Sequence, residues 1–146
     1  MIWQTHDQLN RNINLYGCYW MALLWHVVRI RRLSIDPEWL ERRYDRHVKM
    51  GWIRENCFVL NPTAVLRDVG LKTETVTDPL LEEPWKLRPS YLCKDNEIEI
   101  LKWTNGENHH FTAGNGYGRI TYDPMGISRT ASQGIITSKR VFGRLE

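Results

Sequence analysis

Cysteine is scarce in this chain of 146 residues. There are three, Cys18, Cys57 and Cys93, an odd number set far apart. No C-x-x-C pair occurs, so neither a disulfide framework nor a zinc ribbon is signalled. Long apolar runs are also missing. The longest, Tyr16 to Val28, is interrupted by His26. At about 13 residues it falls short of the roughly 20 needed to span a bilayer. Residues 1–14 are polar and lack a secretory pattern. These absences predict a cytoplasmic protein with reduced thiols and no membrane insertion. Excess charge is lacking too, since a formal charge of +3 is too small to argue for nucleic acid. No repeat or low-complexity stretch is present.

What remains is a globular composition, 42% hydrophobic and 25% charged, sized for one domain over residues 1–146. Such a chain buries roughly two-thirds of its unfolded surface. The basic residues Arg29, Arg31, Arg32, Arg42, Arg43, Arg46 and Lys49 cluster, but Glu38, Glu41 and Asp45 interrupt them. Mixed charge of this kind reads as a solvated helical face. Nucleic-acid binding along it is the weaker alternative.

The first helix is predicted to begin near Cys18, after Gly17, and to end between Arg29 and Arg32. It is apolar on nearly every side, the mark of a buried helix. Asp36 and Pro37 announce a second helix as N-cap and first helical residue. Leu40, Tyr44 and Val48 form its stripe and Gly51 its stop. Asn61 and Pro62 announce a third, carrying Val65, Leu66 and Val69 and stopping at Gly70. Beyond Leu71 the pattern turns to strands. These are expected at Lys72–Val76, Glu97–Trp103, His109–Asn115 and Gly118–Asp123, with Ile98 and Ile100 on one face. Three prolines mark Asp78 to Ser90 as a connection. Gly134 to Leu145 reads as a final strand, with a helix as the alternative. Helices first and strands later define an α+β class.

Cys18 stands where a helix N-terminus favours a thiolate. Alone, such a cysteine is more often a small core residue. The hairpin adds weight. If Gly116-Tyr117 is a two-residue type II′ loop, His110 faces Asp123 directly, with Phe111 opposite Tyr122. That supplies an imidazole base and its orienting carboxylate. If Asn115-Gly116 is instead a type I′ loop, His110 faces Thr121 and Asp123 is at best diagonal. His109 points to the opposite strand face and is read as structural. Asp123-Pro124 also suits a turn at a strand end. A metal site from Cys57, Cys93, His109 and His110 matches no usual zinc spacing.

At these residues the chain resembles a known family. Gly17-Cys18-Tyr19-Trp20, heading a buried helix, resembles the nucleophile segment of papain-like cysteine peptidases. His110-Phe111-Thr112-Ala113, followed by Ile120-Thr121-Tyr122-Asp123-Pro124-Met125-Gly126, is similar to the histidine hairpin and D-P-x-G ending of the bacteriocin-processing, C39-like branch. Small phage and spirochaete proteins of that fold look similar. The resemblance covers the first thirty residues and roughly residues 97 to 126; residues 36–90 match only as generic helices.

It implies a papain-like fold, with the nucleophile helix packed on a C-terminal antiparallel sheet. It also implies a cysteine hydrolase acting on a peptide or protein substrate without a cofactor. Cys18 would be the nucleophile, His110 the base and Asp123 its orienter. The family places a glutamine six residues before the cysteine as oxyanion donor. Here that position is Asn12, an amide one methylene shorter, with Gln8 as an alternative. The rival expectation is a papain-like binding module with little or no turnover.

Overall fold

The computed structural model describes residues 1–145. Five helices and five strands follow one another as α1 (Arg11–Tyr16), α2 (Cys18–Arg31), α3 (Pro37–Lys49), α4 (Pro62–Val69), β1 (Thr73–Thr75), β2 (Glu97–Asn105), β3 (Asn108–Gly114), β4 (Ile120–Tyr122), α5 (Arg129–Gln133) and β5 (Ile135–Arg144). The strands form one antiparallel sheet in the order β1-β5-β2-β3-β4. The architecture is α+β, as the order of patterns predicts.

Capping chemistry sets the middle helices. The Asp36 carboxylate accepts from the Trp39 N–H, and Pro37 occupies the first turn. Asn61 accepts from the Ala64 N–H ahead of Pro62. Trp20 to Leu24, with His26 and Val27, are buried along α2. They join Ile98, Ile100, Ala113 and Phe142 of the sheet in one core. Burial on this scale, at roughly 25 cal/mol per Å² of apolar area, is what fixes α2 against β2 and β3.

Two short helices had no periodic signal. α1 holds because Asn10 caps the Ile13 N–H and Ile13 is fully buried. α5 holds because Ser128 caps the Ala131 N–H over a buried Ala131.

The basic face is solvated as its mixed charge predicts, with only Arg43 of its seven cations partly buried. Arg43 and Arg46 both turn to the Asp68 carboxylate, each at 2.8 Å. The same carboxylate accepts from buried His47 Nε2 at 2.9 Å, while Trp20 Nε1 donates to His47 Nδ1 at 3.0 Å. Three cationic or aromatic partners therefore converge on one acid between α3 and α4.

The sheet departs from expectation at Glu99. The alternation of β2 suggests a charged solvent face, yet Glu99 is fully buried. Its carboxylate pairs with Lys139 of β5 at 2.6 Å and accepts the Gly116 and Gly118 N–H groups at 2.9 and 3.1 Å. The turn after β3 is wrapped around that anion.

Neither of the two-residue loops therefore forms. Asn115 N–H donates to Arg119 O across a longer turn, and Asn115 Oδ1 accepts from Tyr117 and Arg119. Gly116 and Gly118 have φ of 96° and 84°, which favours glycine at both. A register shift follows between Ala113 and Gly114, leaving Ala113 opposite Tyr122 and Gly114 opposite Ile120.

Candidate active site

Cys18 is the first residue of α2 and is half-buried. Gly17 joins α1 to α2 without a linker: its N–H donates to Ile13 O at 3.0 Å, and its carbonyl accepts from Met21 at 2.8 Å. No side chain caps α2 among the described residues. The first-turn N–H groups and the positive dipole end are thus left to the Cys18 side.

His110 of β3 is buried, and its Nε2 lies 2.7 Å from Asp123 Oδ1. Continuing the Ala113–Tyr122 pairing outward sets Thr112 level with Asp123. His110 therefore meets Asp123 from the diagonal position, not from directly opposite as the type II′ loop required. The Cys18 sulfur is close enough to the imidazole to act on its charge. Burial works against a charged ring, but Asp123 and Cys18 together outweigh it and raise the His110 pKa to about 9.

Asp123 is itself held. Its Oδ1 also accepts from the Met125 N–H at 2.9 Å, and its Oδ2 from the Ser128 N–H at 3.2 Å. Burial opposes its ionisation, yet the His110 contact and these donors bring its pKa below the usual carboxylate value. The Asp-Pro-Met-Gly segment is thus a turn and a carboxylate cradle at once.

Residues 1–4 fasten this loop from behind. Gln4 N–H donates to Pro124 O at 2.7 Å, Tyr122 Oη donates to Ile2 O at 2.7 Å, and Trp3 stacks on Tyr122. Gln4 is buried, with its amide nitrogen on Asn14 O. Nothing in the sequence pattern marks this clasp, because its partners are far apart along the chain.

Asn12 lies on α1. Its amide nitrogen is 3.4 Å from Tyr44 Oη, and Tyr44 in turn donates to Glu55 O. An amide carries two N–H donors, so this contact leaves one. Gln8 is exposed, and its backbone N–H is spent on His6 Nδ1 at 3.1 Å.

Cys18 opens into a cleft of about 920 Å³. Leu15, Tyr16, Phe58, Leu60 and Trp85 give it an apolar wall, while Lys86, Lys102 and Arg140 bring positive charge. On the sheet side Phe111 stacks on Tyr19, ring centres 4.6 Å apart. His109 borders the cleft and is exposed, close to Thr104 Oγ1 at 3.3 Å. Cys57 lines the same cleft, whereas Cys93 packs against Gly116. Burial pushes both thiols up to about 12. The four residues of the weighed metal site are therefore not gathered together, and no group of three or more metal-ligating side chains occurs among the described residues.

The fold and site thus define an α+β chain with a helix-borne cysteine beside a buried histidine–carboxylate pair. The chain belongs to the family described as protein of unknown function, DUF261, whose model matches residues 1–144. No curated protein and no solved structure matches it. No helix among the described residues is long and apolar enough to cross a membrane.

Proposed function

We propose that this protein is a cysteine-dependent hydrolase with a papain-like arrangement, cleaving a peptide or related amide by acyl transfer to Cys18. The 2.7 Å contact between His110 and Asp123, buried beside the thiol, is the observation that carries this reading. The Cys18 proton rests on His110 as a thiolate–imidazolium pair, and the sulfur attacks the carbonyl carbon. The tetrahedral intermediate collapses with proton return from His110 to the leaving amine. Water then attacks the thioester and releases the acid. Asp123 holds the imidazole tautomer throughout. The Cys18 N–H and the remaining Asn12 N–H stabilise the oxyanion. Three free thiols suit a reducing compartment such as the cytoplasm.

The test is site-resolved alkylation with iodoacetamide, read by mass spectrometry. Cys18 should label well ahead of Cys57 and Cys93, and His110→Ala should remove that lead. Equal, slow labelling of all three cysteines would sink the catalytic reading. The engagement of Asn12 by Tyr44 favours the second reading, a binding module with weak turnover. That reading is supported if Cys18 labels fast while peptide hydrolysis is undetectable.

A further inference from the structure

Arg140 is only 7% exposed, yet it lines the cleft that Cys18 opens into. Its guanidinium lies over the Phe111 ring at 5.6 Å, and its Nη1 donates to Ser138 Oγ at 2.9 Å. Among the described residues neither Arg140 nor Lys102 forms an ion pair with a carboxylate. The one acid lining the cleft, Glu83, is already taken by Lys86 at 2.8 Å. Arg140 is paired with Ile100 of β2 and Lys102 with Phe111 of β3, so both cations leave the same face of the sheet.

A buried guanidinium without an acid is a costly arrangement that an incoming anion relieves. Burial lowers the Lys102 pKa first, and repulsion from Arg140 and Lys86 lowers it further, with Glu83, held by Lys86, opposing them only in part. The cations are thus set against one another across the cleft.

We propose that Arg140 and Lys102 form a carboxylate subsite, so that the cleft takes peptides bearing an acidic group near the bond presented to Cys18. This rests on the hydrolase reading for the identity of the ligand as a peptide. The planar fork of Arg140 suits a carboxylate in bidentate contact. The aromatic and aliphatic wall opposite accommodates the rest of the peptide.

Binding separates this inference from catalysis. The Cys18→Ala protein is titrated with three dye-labelled hexapeptide pools, followed by fluorescence anisotropy. One pool carries a single Glu with a blocked C-terminus, one a free C-terminal carboxylate, and one is neutral and blocked at both ends. At least one acidic pool should bind about tenfold more tightly than the neutral pool, which corresponds to about 1.4 kcal/mol. Which of the two is preferred identifies a side-chain or a terminal carboxylate. Arg140→Gln should erase the preference. Should that variant fail to fold, Lys102→Gln decides, with a severalfold loss expected. Equal binding of all pools, or a preference unchanged in the folded variants, overturns the subsite. An unreactive Cys18 with the preference intact would sink the hydrolase reading and leave the subsite standing. A reactive Cys18 with no preference does the reverse.

Discussion

His110 sits between two opposing influences, and their balance sets its charge. Burial alone would keep the ring neutral near pH 7. Asp123 and the Cys18 thiol reverse that and carry the pKa to about 9, above the usual histidine value of roughly 6.5. A raised folded-state pKa stabilises the fold through the protonated ring. That contribution is fully present below about 6.5 and is lost as pH rises through about 9. Asp123→Asn removes the carboxylate charge and leaves the Met125 and Ser128 N–H groups facing a weaker acceptor. The His110 pKa should then fall well below 9, and the stability loss between pH 6.5 and 9 should flatten. Ring-proton NMR titration of both proteins checks this, and an unchanged titration near pH 9 in the variant would contradict it. His26 offers an internal contrast. Burial drives its pKa down to about 4 while its Nε2 donates to Glu99 O at 2.7 Å. The partner alone does not decide the direction: burial, with Arg43 and Arg46 alongside, lowers the pKa of His47 although its Nε2 is 2.9 Å from the Asp68 carboxylate.

Among the elements, the joint between α1 and α2 has little freedom. A Cβ on Gly17 would stand 2.6 Å from Ile13 O, a backbone atom that cannot swing away. Gly17→Ala should cost about 1–3 kcal/mol in urea unfolding and displace Cys18 from His110. A variant of wild-type stability would show that the two helices are not braced as described. The elements also show what a sequence discloses. Asp36-Pro37 and Asn61-Pro62 announced their helices because capping is local chemistry within four residues. β1 and β2 were readable from alternation and β3 from the hairpin around its glycine-rich turn, while β5 was open between strand and helix. α1 and α5 were not, since each is a single short turn held by one cap and one buried side chain. The partnership of His110 with Asp123 was legible as residue types on facing strands. Its register was not, because a buried carboxylate from a third strand, Glu99, sets the turn. Arg140 was silent for the same reason: only the pairing of β5 against β2 brings it into the cleft.

At the level of the whole molecule, the Glu99–Lys139 pair ties β2 to β5 and to the hairpin turn together. Both ends are buried, and Lys139 also donates to Tyr91 O at 2.7 Å. Glu99→Gln leaves the ammonium buried without its counter-charge. Stability in urea should fall by about 3–5 kcal/mol. Loss of less than 1 kcal/mol would mean that the turn, not the charge pair, dominates. Because Glu99 holds the turn between His110 and Asp123, the variant should also disturb the site without touching Cys18.

The strand order has a consequence for biosynthesis. β2 lies between β3 and β5, so the sheet behind the cleft cannot close until residues 135–144 have left the ribosome. Cys18 is translated long before either of its partners. In the hydrolase proposed above, the thiol therefore has no base through most of synthesis, and the emerging chain carries no armed nucleophile into its surroundings.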